Sequence, residues 1–214
     1  MALPLFVSAS NRVNLTSVNA VLDTPSNILP GDLMIAYVAF GGGSGVTINT
    51  VPTGWNTPSG NRVNSTTTVG VAVYWKYYVS GDPSTFTWVL NSMQTTLGII
   101  KAWRVVDPFA PVDVVGGQAN ASSTTCTHPS ITLLTDNEAL DAYYAIAAVA
   151  TFTPGSGYTE RADANGQCND DQYVLTAGAT GTKTVTASAA GPNIGFGVGV
   201  LPYRGLAVPM MGCG

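Results

Sequence analysis

Alternation of apolar and polar residues is the dominant pattern along the chain. In Val71–Ser80, Val71, Val73, Trp75, Tyr77 and Val79 fall on one side, and Ala72, Tyr74, Lys76, Tyr78 and Ser80 on the other. Successive side chains of a strand point to opposite faces, so the first set predicts a core-facing strand. The turn Ser80-Gly81-Asp82-Pro83 follows. Phe86, Trp88 and Leu90 then share a face opposite Thr85, Thr87 and Val89. This is the pattern of a hairpin with a loop longer than two residues. No sustained i, i+3, i+4 stripe with caps occurs, and Thr, Val and Gly are poor helix formers. Glu138–Val149 is the one ambiguous run. Its alanines favour a helix, whereas Leu140, Ala142, Tyr144, Ile146 and Ala148 alternate as in a strand.

Comparison of the two halves resolves that run as a strand. The first half reads GDLMIAYVAF (31–40), PTGWN (52–56), VAVYWKYYVSGD (71–82), STFTWVLNS (84–92) and LGIIKAWRV (97–105). The second reads NEALDAYYAIAAV (137–149), GSGYTER (155–161), DDQYVLTAGATG (170–181), KTVTASAAG (183–191) and NIGFGVGVLP (193–202). Each begins with a polar turn and an apolar strand, and a Gly-aromatic turn follows. A long hairpin and a Gly-led strand close the unit. The offset drifts from about 106 to about 96 residues, a difference that loop lengths absorb. A duplicated unit of four to five strands predicts two sheets sharing one core. The fold class expected is therefore all-β, a jelly-roll-like β-sandwich of two antiparallel sheets with extended terminal segments.

Residues 1–27 read as an N-terminal segment with short strands at Phe6–Ala9 and Val18–Leu22, 28–202 as the sandwich, and 203–214 as a C-terminal arm. The Pro-, Gly- and Ser-rich join Val106–Pro129 reads as a crossover or loop, with one strand near Pro111–Val115. An apolar tail without its own periodicity rarely sits bare in water, so YRGLAVPMMGCG is expected to pack on a neighbour.

Composition narrows the function. Charged residues make up 9% of the 214 and hydrophobic ones 45%, with 24 glycines. This composition is that of a folded chain with a surface of Thr, Ser, Asn and Gly. Free monomers usually display more charge, so neighbouring subunits are expected to cover part of this surface. Net charge is −4 and the eight Lys and Arg are scattered, which argues against nucleic acid and against an anionic membrane as partners. No apolar run is long enough for a spanning helix. The opening MALPLFVSAS lacks the positive region of a secretory signal, and a chain made and left in a cytoplasm is expected. Cys126, Cys168 and Cys213 form no C-x-x-C, and reduced thiols are expected.

No catalytic constellation emerges, and no cofactor is implied. His128 would need two further ligands for zinc, with Cys168, Asp170 and Asp171 the candidates, so a loop histidine without a role is expected. Adjacent Asp170 and Asp171 point to opposite faces along a strand and cannot serve as paired glycosidase carboxylates. Asp136, Glu138 and Asp141 read as turn residues flanking a strand start. The Asp163–Asp171 segment, considered for calcium, reads as a turn rich in Asp and Asn. Gly41–Gly45 lacks the lysine and helix of a phosphate-binding loop. Trp103 keeps period with Ile99 and Lys101. Trp55, in a turn, is the candidate exposed aromatic, joined by Tyr74 and Tyr78 on the face shared with Lys76. Such aromatics stack on sugars, although the alternation weighs towards core or interface.

On the motifs PGDLMIAYVAF, PTGW, YWKYYVSGDPSTFTW, WRVVDPFAPVD, NEALDAYYA and AGATGTKTVTASAA, the chain resembles β-sandwich proteins coded in tailed-phage and prophage structural regions, over residues 28–202. The resemblance implies a non-enzymatic virion protein, foremost a trimeric decoration or cement protein. Such a protein binds the major capsid protein on the outer capsid surface and stabilises it. A tail-fibre or other glycan-binding module is the alternative. Contacts to capsid or sister subunits are expected from Leu3, Leu5, Phe6, Tyr203, Arg204, Leu206, Val208, Met210 and Met211.

Overall fold

The computed structural model describes residues 2–205. The first half contributes β1 (Leu5–Asp23), β2 (Leu33–Gly41), β3 (Ile48–Thr50), β4 (Arg62–Ser65), β5 (Val69–Tyr77) and β6 (Thr85–Arg104). The second contributes β7 (Val112–His128), β8 (Thr132–Leu133), β9 (Glu138–Ile146), β10 (Phe152–Thr153), β11 (Thr159–Ala164), β12 (Gln167–Val174), β13 (Gly178–Ala179) and β14 (Lys183–Val200). The only helical element among the described residues is a 3₁₀ turn at Gly43–Gly45.

Two antiparallel sheets form the sandwich, and each is built from one half of the chain. The first has the order β1-β6-β2-β5-β4, with β3 paired to β6. The second has β10-β14-β9-β12-β11, with β7 paired to β14; β8 and β13 form a small ribbon. Strand for strand these are the same unit, with β1, β2, β3, β4, β5 and β6 matching β7, β9, β10, β11, β12 and β14. The register agrees: Leu33 lies opposite Tyr77 and Trp103, and Ala139 lies opposite Tyr173 and Val200. The chain passes between the sheets once, after Arg104, so connectivity repeats one pattern instead of alternating between sheets. The duplication read from the sequence is thus present in the fold, and Glu138–Ile146 is a strand.

Tyr37 and Tyr143, equivalent in the two units, stack across the interface with centroids 4.6 Å apart and planes at 7°. Around them Leu33, Ile35, Val71, Val73, Ile99, Trp103, Phe196 and Val198 form the core between the sheets. The alternating residues on the opposite side of each sheet are buried as well. The β1–β6 ribbon carries register shifts at Asn14–Asn19 and folds back on its own sheet, bringing Leu22, Phe86 and Trp88 onto Met34, Ala36 and Tyr74. The β7–β14 ribbon shifts register between Thr186 and Asn193 and brings Cys126, Val185 and Ala187 onto Ala142 and Tyr144. Bulges bend strands, and here they convert each long hairpin into a cover for its own sheet. Glycine marks both crossings. A Cβ on Gly98 would lie 2.2 Å from Leu22, and one on Gly195 would lie 2.4 Å from the Thr127 carbonyl oxygen.

Three readings of the sequence change. Residues 5–23 are one strand of the sandwich instead of a separate segment with two short strands. The join at 106–129 is mostly strand, because β7 runs Val112–His128 through its Gly, Ser and Thr residues. Small residues are required here by close neighbours: a Cβ on Gly117 would meet the ring of Phe196, its cross-strand partner on β14, at 2.6 Å. Of the expected arm, residues 203–205 are described and Leu206, Val208, Met210 and Met211 lie outside the described residues.

Candidate functional site

The inward face of β6 runs Ile99, Lys101, Trp103, so strand periodicity directs a lysine into the core between the sheets. Lys101 is fully buried. The opposing sheet supplies the countercharge through Asp141 on β9 and Asp171 on β12. Lys101 Nζ lies 3.3 Å from Asp141 Oδ1 and 2.9 Å from Asp171 Oδ2, and donates to the Asp170 carbonyl oxygen at 3.2 Å. Asp141 Oδ1 also accepts from Asn169 Nδ2 at 2.8 Å, and its Oδ2 accepts from Trp103 Nε1 at 2.9 Å. Asp171 is gripped by Arg161, with Nε at 2.6 Å and Nη2 at 3.0 Å. The Phe6 and Trp103 rings lie 5.6 and 4.8 Å from Nζ, and the Arg161 guanidinium lies over Phe6 at 4.2 Å.

Two cations face two carboxylates here, so the cluster is neutral as a set while its members differ. Burial pushes Asp141 above the usual carboxylate range, against the pull of Lys101, Trp103 and Asn169. Burial also raises Asp171, but Lys101 and Arg161 outweigh it and hold this carboxyl below its usual value. In the matching unit, register places Ile35 where Asp141 stands and Val198 where Lys101 stands. The duplicated sheets have therefore diverged into complementary partners. Burying ions carries a desolvation cost that good geometry only offsets, so such a cluster specifies how the sheets meet more than it adds stability.

The alternation that kept Asp170 apart from Asp171 holds. Asp170 faces outward from β12 yet is fully buried, and neither carboxyl oxygen has a hydrogen-bond partner. Burial pushes its pKa up to about 7. Glu138, at the start of β9, is also fully buried and raised to about 7 by burial and by Asp113; its Oε1 accepts from the Thr135 amide. Glu138 and Asp141 are thus strand residues, not turn residues. His128 is likewise no loop residue. It ends β7 in the covered layer, with Nδ1 2.8 Å from the Pro129 carbonyl oxygen and Nε2 3.1 Å from the Tyr158 hydroxyl, and burial lowers its pKa to about 4. Asn165-Gly166, both at positive φ, make the two-residue turn between β11 and β12. Asp163 accepts from the Phe152 amide at 2.8 Å. Among the described residues no group of three or more His, Cys, Asp or Glu could hold a metal, and Cys126 and Cys168 are buried free thiols.

The aromatics expected at the surface are elsewhere. Trp55 and Tyr74 are 8% and 4% exposed, packed with Phe86 and Trp88 in the covered face of the first sheet, and Tyr78 packs against the same cluster. The folded-back β1–β6 ribbon buries them, a long-range event that strand alternation cannot register. Phe6, expected as a contact residue, is half-buried and meets Trp103 edge-on at 6.1 Å beside the buried cluster.

Many of the exposed large apolar residues lie at one end of the sandwich, while Leu15, Val18, Met93 and Val149 are exposed elsewhere. Leu29 precedes β2, Val79 follows β5, and Val105 and Phe109 follow β6; Leu134 precedes β9 and Leu175 follows β12. The pairing of Val106 with Pro202 ties the two units at this end. Leu3, Leu5 and Tyr203, chosen from the termini, are exposed there too. Arg204 is also exposed there but is tethered, donating to Thr135 Oγ1 at 2.9 Å. Phe109 is 85% and Leu134 74% exposed, far beyond the edge of any core. Six of the eight Lys and Arg are engaged in ion pairs within the chain, which leaves no cationic patch to match a polyanion. Among the described residues no helix is long and apolar enough to cross a membrane. Comparison of the chain with known protein families, with curated proteins and with solved structures returned no match.

Proposed function

We propose that the chain is a non-enzymatic virion protein of a tailed phage, a decoration protein that docks end-on to the outer surface of the capsid. The supporting observation is the apolar end, to which both sequence halves contribute. Exposed apolar side chains grouped at one end of a fold are a feature of protein–protein contact sites. A largely uncharged, rigid sandwich standing on such an end suits attachment by burial of apolar area. Repetition over a symmetric shell, with the chain as a homotrimer at capsomer junctions, multiplies a modest contact into firm retention. The glycan-binding alternative loses its support, since Trp55 and Tyr74 are buried.

The test is binding of the purified chain to undecorated heads. Phe109→Asp with Leu134→Asp is expected to reduce occupancy at least tenfold while leaving the melting temperature within a few degrees, because both side chains stand clear of the core. Undiminished occupancy of the double variant would refute end-on docking. Failure of the wild-type chain to bind heads would refute the decoration role.

A further inference from the structure

The buried cluster between the sheets contains what is needed to join them covalently. An amine, a carboxyl and a second carboxylate meet at one point: Lys101 Nζ touches Asp141 at 3.3 Å and Asp171 at 2.9 Å. We infer that Lys101 and Asp141 condense to an isopeptide bond between β6 and β9, with Asp171 relaying the proton.

The roles follow from the contacts. Trp103 Nε1 and Asn169 Nδ2 each donate to a different oxygen of Asp141, at 2.9 and 2.8 Å. They polarise its carboxyl and stabilise the negative charge that develops on oxygen under attack. Asp171 is held as a carboxylate by Arg161, and its Oδ2, which accepts from Arg161 Nε at 2.6 Å, also lies 2.9 Å from Lys101 Nζ, in place to relay a proton from it. Asp141 is the carboxyl with the greater tendency to be neutral, since burial raises its pKa. Lys101 has no route to solvent, and aromatic rings flank it. Amine and carboxyl held in contact in a water-poor site react as neighbours at very high effective concentration.

The chemistry balances without any further reagent. One proton passes from the Lys101 ammonium to the Asp141 carboxylate, giving an amine and a carboxylic acid. The amine electron pair attacks Asp141 Cγ and forms the C–N bond. Asp171 takes a second proton from that nitrogen and returns it to the departing hydroxyl as the C–O bond breaks. The products are a secondary amide, one water and an unchanged Asp171 carboxylate. The equivalent positions in the partner units, Ile35 and Val198, cannot react, so a single link is expected.

This inference is independent of the proposed capsid role. Its test is the intact mass of the denatured full-length chain compared with its Lys101→Arg variant. The wild-type chain is expected to be lighter than its sequence mass by one water, with a proteolytic fragment in which Lys101 and Asp141 belong to one branched peptide. The Lys101→Arg variant, whose guanidinium does not acylate under these conditions, is expected at full sequence mass. Wild-type protein at full mass after prolonged incubation in the folded state would overturn the inference. So would a water deficit that persists in Lys101→Arg, or a branch joining Lys101 to another residue. The wild-type measurement stands even where a variant fails to fold.

Discussion

At the scale of single residues, this protein is unusual in how many ionisable groups it encloses. Asp170 is the plainest case, a carboxyl without hydrogen bonds whose pKa burial raises to about 7. Between the ordinary carboxylate value and about 7, the folded state binds the proton and the unfolded state does not. Stability contributed by this group is therefore present in acid and lost as pH rises through that window. Asp170→Asn keeps the shape and removes the charge. The variant is expected to be more stable than wild type by up to about 4 kcal/mol at pH 8, the free-energy equivalent of the shift, and nearly equal to it at pH 4. Urea unfolding at the two pH values measures this, and equal differences at both would show that Asp170 is ionised in the fold. His128 works in the opposite sense. Its pKa is lowered to about 4, so its contribution is present above the unfolded value and is lost as pH falls between about 6.5 and 4.

At the scale of elements, the defining device is the bent ribbon, a long hairpin folded at bulges onto the sheet it helps to build. It explains why both faces of β2 and β9 are buried and why their sequences read as near-continuous apolar runs. It also explains Gly98 and Gly195, where a Cβ would meet the Leu22 side chain and the Thr127 backbone of the ribbon. Gly195→Ala would push a methyl group against the Thr127 carbonyl at 2.4 Å, a backbone atom with little room to retreat. The expected loss is about 1–3 kcal/mol, the usual cost of overpacking. Gly45→Ala, where a Cβ meets nothing within 4 Å, is expected to change stability by no more than about 0.5 kcal/mol. Thermal unfolding of the two variants side by side checks the contrast.

At the scale of the whole molecule, two copies of one unit share a single interior, with Tyr37 against Tyr143 and Lys101 against Asp141 and Asp171. Neither sheet buries its inner face without the other, so the halves are expected to unfold together. The chain offers a convenient probe, because all four tryptophans lie in the first half. Tryptophan fluorescence reports the first unit alone, while far-ultraviolet circular dichroism reports both. Coincident denaturation curves are expected. A second unit that melts separately would show up as a displaced circular dichroism transition. The apolar end belongs to this scale too, since no single segment carries it and the two units assemble it from the turns beside their strand ends.

Much of this was legible in the sequence. Strict alternation in Val71–Tyr77 and the recurrence of one strand-and-turn pattern determined strands, sheets and duplication, because side-chain direction in a strand is a local property with period two. The same periodicity put Lys101 in phase with Ile99 and Trp103, but that it is a charge buried in the core came only with the fold. What answered Lys101 was decided only by tertiary structure. Asp141 and Asp171 lie on the opposing sheet, brought near by packing of one unit on the other, and nothing local to either residue encodes that contact. The fate of Trp55 and Tyr74 was settled in the same way. Alternation states that a side chain leaves one face of a sheet, and only the long-range return of the β1–β6 ribbon determines whether that face meets water or another layer.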